Sequence, residues 1–252
     1  MEMVLLTAIG VGGATLIGSL IGLLFNRISH KFSDIILGFA AGVMLCAAVI
    51  GLVLPSMEYG NRFPGLVTVL GVFCGALVLN LIDKFIPHHH DIDGTEKEMH
   101  PCCDGRITKI MLFVLAIAIH NFPEGIAAGV GFGTGLTTEA LIIAGGIALQ
   151  NIPEGMVIIG PMLSCGISKK KTFLIAASTG LIEVIGTLLG YFAVSISNAI
   201  LPFALSFAGG TMLYIISDEM IPETHSHGNE RGATYALLAG FCLMLLVDFY
   251  LG

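Results

Sequence analysis

The chain has 252 residues, of which 55% are hydrophobic by the AVILMFWYC count and only 12% are charged, against roughly a quarter in a typical soluble domain. A soluble fold could not cover so much apolar surface with so little charge. Eleven basic against 18 acidic residues leave a net charge of −7, which excludes a basic nucleic-acid binder.

A run of about 20 apolar residues crosses a bilayer as helix. Eight such runs are predicted, at 3–25, 35–57, 65–86, 107–132, 138–163, 172–195, 203–221 and 232–251. The first is too long for a signal-peptide core and has no clear small-residue cleavage site before Asn26 and Arg27, so it is kept as a membrane helix. The seventh is the shortest, with Asp218 and Glu219 near its end. The 33 glycines are scattered among apolar residues, as in packed transmembrane helices. Cys46, Cys74, Cys165 and Cys242 lie in or at the ends of the spans and read as small packing residues.

Basic residues set the orientation. Arg27, Lys31, Lys84, Lys97, Arg106, Lys109, Lys169, Lys170, Lys171 and Arg231 follow spans one, three, five and seven, whereas Arg62 stands alone on the other side. This bias predicts both termini outside and the loop at 87–106 in the cytoplasm. The chain is therefore expected to be a single transmembrane domain over 1–252, all-α and polytopic.

Span two contains the run Phe39 to Leu45 (FAAGVML) and span seven the run Phe207 to Leu213 (FAGGTML), each followed by a proline, Pro55 or Pro222. The two spans are five apart in order, an odd number, so they cross in opposite senses. The expectation is an inverted repeat, helices one to three against six to eight, with four and five between. This is a common plan for secondary transporters, whose sites lie near the midplane at the repeat interface.

Charge within a span is costly, on the order of 2.5–3.5 kcal/mol on insertion scales, and marks function. Span four carries HNFPEG at 120–125 and span five QNIPEG at 150–155. In each hexad the first residue and the Glu are four apart and share one helix face; they are His120 with Glu124 and Gln150 with Glu154. Asn121 and Asn151 sit three residues before the acids and can join them. Pro123 and Pro153 each lack the N–H that would bond a carbonyl one turn earlier. Glu183 adds a third acid in span six, and apart from Lys109 at the start of span four no Lys or Arg lies within spans four to six. Protonation or a bound divalent cation must neutralise these carboxylates. Imidazole with carboxylates suits Zn²⁺, Fe²⁺ or Mn²⁺ better than a Ca²⁺ or Mg²⁺ cage.

The loop reads HHHDIDGTEKEMHPCCD at 88–104. His88, His89, His90, His100, Cys102 and Cys103 among five acids make a tract able to bind Zn²⁺ weakly. His225 and His227, with Glu223, form a smaller cluster on the same side.

At these hexads the sequence resembles the ZIP (Zrt/Irt-like) family of divalent metal transporters, prokaryotic type. The stretch STGLIEVIG around Glu183, the run FAAGVML and DEMIPE at 218–223 carry the likeness across the chain. The resemblance implies a binuclear site. His120, Glu124, Gln150 and Glu154 would hold one metal. Asn121, Asn151, Glu124, Glu154 and Glu183 would hold the second, with the two hexad glutamates bridging. Met44 matches a soft ligand of some members. Gln150 stands where many members have His, and Asn151 where some have Asp, which makes this site less basic or less negative. The resemblance also implies a homodimer in the cytoplasmic (inner) membrane of a prokaryote. It further implies an elevator-like motion of the middle helices against helices two, three, seven and eight.

The expected function is inward transport of Zn²⁺, or of Fe²⁺, Mn²⁺ or Cd²⁺, by alternating access, with the metal as substrate and no catalytic cofactor. The expected partners are divalent metal ions and membrane lipid, with no nucleic acid. A passive channel is one alternative. An intramembrane zinc hydrolase is another, disfavoured by a single deep His and no H-E-x-x-H.

Overall fold

The computed structural model describes residues 1–25, 29–59, 63–85, 103–135, 137–164 and 166–251, without the side chains at 83–85, 103–113, 116, 164 and 198. The described chain is helical throughout, with no strand. Its long helices are α1 (Glu2–Leu24), α2 (His30–Glu58), α3 (Pro64–Phe85), α4 (Cys103–Gly131), α5 (Thr137–Ser164), α6 (Lys169–Ile196), α7 (Leu201–Thr224) and α8 (Glu230–Leu251). Seven of them are long and apolar enough, in their described residues, to cross a membrane. The exception is α4, whose first turns lie among the undescribed side chains; its 29 residues coincide with the predicted span 107–132.

Capping explains where two helices begin earlier than predicted. Ser29 Oγ accepts the Phe32 amide at 3.3 Å, so α2 starts at His30. Ser168 Oγ accepts the Lys171 amide at 3.4 Å, so the three lysines lie inside the first turn of α6 and not before it. Each of these hydroxyls satisfies an otherwise orphaned helix N–H. α2 and α7 share a further irregularity, a π-helical stretch at Ala47–Val53 and at Ile216–Met220. Each runs into a proline, Pro55 or Pro222, at the start of a last α-helical turn. A proline cannot complete the i to i−4 bond, and the wider π turn absorbs the mismatch.

The helices pack as two groups. α1 lies on α5 and α6, and α4 lies on α6 and α5. In the second group α2 lies on α8 and α3 on α7. The groups meet where α2 touches α5 and α4 touches α7. A single apolar cluster joins them there, including Met44, Leu52, Ala127, Ala128, Ile147, Leu205 and Met212. α3 and α8 are the most peripheral, with Leu70, Phe73, Leu238 and Phe249 exposed.

Lipid is as apolar as leucine, so close backbone approach holds such helices together. A Cβ at Gly125 of α4 would strike the Glu183 carbonyl of α6, and one at Gly155 of α5 would strike the Thr15 carbonyl of α1. In return, Gly186 abuts Phe122 and Gly18 abuts Ile152. The α4 and α5 members of these contacts are 30 positions apart, and the α1 and α6 members 168. The same offset relates Gly42 of α2, against Leu237, to Gly210 of α7, against Val72. The packing therefore recurs in register between the two ends of the chain.

Gly155→Val should force α1 and α5 apart. Overpacking costs typically about 1–3 kcal/mol, which a fluorescence melt in detergent should read as a drop of several degrees. Gly145→Val, where an added Cβ meets nothing within 4 Å, should melt like the parent. Equal melting of both variants would contradict the close-contact account.

Candidate metal centre

The interior of the first group is polar. Glu124, Gln150, Asn151 and Glu183 are fully buried, Asn121 is 1% exposed and Glu154 is 9% exposed. Both hexads lie inside continuous helices, with Pro123 interrupting the bond ladder of α4 and Pro153 that of α5. Such irregular backbone is tolerated at depth where it is buried in protein.

Hydrogen bonds link these side chains across helices. Gln150 Nε2 donates to Glu124 Oε1 at 2.8 Å, joining α5 to α4. Asn151 Nδ2 donates to Glu183 Oε1 at 2.5 Å and to the Val11 carbonyl at 3.3 Å, joining α5 to α6 and α1. Hydrogen bonds thus join Glu124 to Gln150 and Glu183 to Asn151 across three helices, and Glu154 lies buried one turn after Gln150 on α5.

What remains unbonded is as informative. Glu124 Oε2, Gln150 Oε1, Asn151 Oδ1 and both amide atoms of Asn121 are buried with no hydrogen-bond partner. Most of these are oxygen acceptors facing no donor. A buried unsatisfied group costs about 1–3 kcal/mol, more if charged, and a divalent cation is the partner such a donor set lacks. Among the described residues no three His, Cys, Asp or Glu side chains stand close enough together to hold a metal ion by themselves. The acids alternate instead with amides, which give oxygen ligands without added charge.

His120 extends this centre toward α7. Its Nε2 bonds Glu219 Oε1 at 2.7 Å, so the imidazole bridges the two helix groups. Sequence reading noted Glu219 only as a charge near a span end. Its lone signal was the DEMIPE run, because the contact crosses 99 positions of chain. Met44 is fully buried in the apolar cluster between the groups. His88, His89, His90, His100 and Cys102 lie outside the described residues, as does the side chain of Cys103.

Together these features define the class: an integral membrane protein enclosing an oxygen-rich, acid-bearing centre. The sequence family described as ZIP zinc transporter matches residues 87–248. The chain is 39% identical to zinc transporter GufA of Myxococcus xanthus over 98% of each chain. It is 37% identical to zinc transporter ZIPB of Bordetella bronchiseptica, over 95% of this chain and 78% of that one. It is also 36% identical to zinc transporter ZupT of Chlorobium chlorochromatii, over 93% and 92%. The chain belongs to the ZIP zinc transporter family.

In metal-free buffer, Asn151→Leu should lower stability by about 1–3 kcal/mol, because Glu183 and the Val11 carbonyl lose their donor. Asn121→Leu removes an amide with no partner and should melt at or above the parent temperature. The opposite order in a thermal melt would contradict this bonding scheme.

Proposed function

We propose that the chain carries Zn²⁺, and with lower preference Fe²⁺, Mn²⁺ or Cd²⁺, into the cytoplasm by alternating access. The carrying observation is the set of buried carboxylates, Glu124, Glu154 and Glu183, beside buried amide oxygens with no donor. A dehydrated divalent cation supplies the missing charge and the missing partners at once. Relatives over nearly the whole chain bear the name zinc transporter, which favours zinc among the candidates.

In this reading the site is binuclear. His120, Glu124, Gln150 and Glu154 hold one ion; Asn121, Asn151 and Glu183 hold the other, with Glu124 and Glu154 shared. Met44 adds a thioether from α2, at the seam with α5. The loop residues His88, His89, His90, His100, Cys102 and Cys103 form a weak cytoplasmic chelator. All eight long helices cross the bacterial inner membrane, with both termini outside. Helices α1–α3 and α6–α8 are inverted repeats, a reading favoured by the contacts that recur in register. The first helix group moves as a body against the second, in line with their separate packing. Two copies form the working unit.

Purified protein in liposomes with a trapped indicator should show saturable zinc uptake. Glu124→Gln and Glu154→Gln should each lower uptake by at least ~10-fold, as losing a charged ligand in a site without cationic partners implies. Wild-type uptake in both variants would overturn the assigned site, and uptake rising linearly with zinc would make the protein a channel. Met44→Leu should weaken competition by Cd²⁺ more than zinc uptake, since a soft thioether favours the softer ion.

A further inference from the structure

Helix α1 holds no acid or imidazole at depth, yet it touches the centre along one stripe. Val11, Thr15 and Ser19 are spaced four apart and share a helix face. The Val11 carbonyl accepts from Asn151 Nδ2 at 3.3 Å. Thr15 Oγ1 donates to Glu183 Oε2 at 3.4 Å. Ser19 Oγ donates to the Thr15 carbonyl at 2.8 Å and to the Gly155 carbonyl, just after Glu154, at 3.3 Å. Thr15 and Ser19 are both fully buried.

The Thr15 hydroxyl differs from three other buried threonine hydroxyls. Thr179, Thr187 and Thr211 each turn back to a carbonyl of their own helix, the default for a helical hydroxyl in an apolar setting. For Thr15 the matching acceptor, the Val11 carbonyl, is engaged by Asn151, and its own hydroxyl bonds an acid on another helix. Its place is also the counterpart of Glu183. The packing offset of 168 that relates Gly18 to Gly186 carries Thr15 onto position 183. One helix presents the acid, and its counterpart presents the donor that orients it.

We infer that Thr15 is a positioning residue for the metal centre. With Asn151 on Oε1 and Thr15 on Oε2, the plane of the Glu183 carboxylate is fixed from both sides. A carboxylate offers about four lone-pair sites, so two remain free for a cation. Outer partners of metal ligands typically govern 10- to 100-fold in affinity. The inference rests on the proposed metal reading of the same centre.

The test uses the full-length protein in detergent and in liposomes. Zinc binding by calorimetry, zinc uptake and melting temperature are compared for the parent, Thr15→Val, Thr15→Ser and Thr179→Val. Thr15→Val, which keeps the shape and removes the donor, should weaken zinc binding and raise the half-saturating concentration by about 10-fold, with maximal uptake largely kept. Thr15→Ser should restore parental affinity. Thr179→Val, which removes a hydroxyl bonded only to its own helix, should bind zinc as the parent does. Parental affinity in Thr15→Val, or equal loss in Thr15→Ser, would overturn the inference. If the parent binds zinc but carries none, transport fails while the affinity ratio still decides the role of Thr15. A parent that binds no zinc overturns both.

Discussion

Three carboxylates buried in a membrane-embedded helix bundle, with no Lys or Arg beside them, are the constraint on which the rest depends. Uncompensated charge in a low-dielectric interior is among the most expensive things a fold can contain. The protein meets part of that cost internally. Gln150 donates to Glu124, Asn151 and Thr15 donate to Glu183, and every donor comes from a different helix than its acceptor. In the proposed reading, the acceptors left over are the opening that a cation fills. A centre fully satisfied by protein donors would be stable and would have no use for a metal.

That need shapes the packing around it. Donors such as Asn151 and Thr15 reach their acceptors only if the helices approach closely, and glycines at 18, 125, 155 and 186 remove the side chains that would hold them apart. The prolines in the hexads have a related effect, withdrawing backbone donors beside the acids. Elsewhere the fold is apolar. The cluster between the two helix groups is built from Ala, Leu, Ile and Met, a surface with few hydrogen bonds to break if the groups slide. The His120 to Glu219 and Tyr59 to Glu139 contacts are polar links across that seam. The His120 to Glu219 bond ties α4, which carries one hexad, to α7.

Much of this was legible in the chain. The helices follow from apolar runs, and the observed bounds differ from the predicted ones by at most five residues, at α2, where Ser29 caps the helix early. The hexads were legible because the spacing of four puts first residue and acid on one face whatever the tertiary fold. Glu219 and Thr15 were not. Glu219 sits beside a π turn that shifts the helical face from its ordinary register. Thr15 looks like any small residue in an apolar span, and only the contact with Glu183, 168 positions away, gives it meaning. Local pattern reveals groups that act with sequence neighbours and is silent on groups whose partners arrive by folding. The tract at 88–104 is legible in composition alone.

The most direct test is to locate the ion. Crystals of the full-length protein grown with zinc, measured on both sides of the zinc absorption edge, report metal positions independently of flux. The account predicts anomalous density within the space bounded by Glu124, Gln150, Asn151, Glu154 and Glu183, absent in the Glu124→Gln protein. Density confined to surface histidines, with the buried acids empty at saturating zinc, would contradict it.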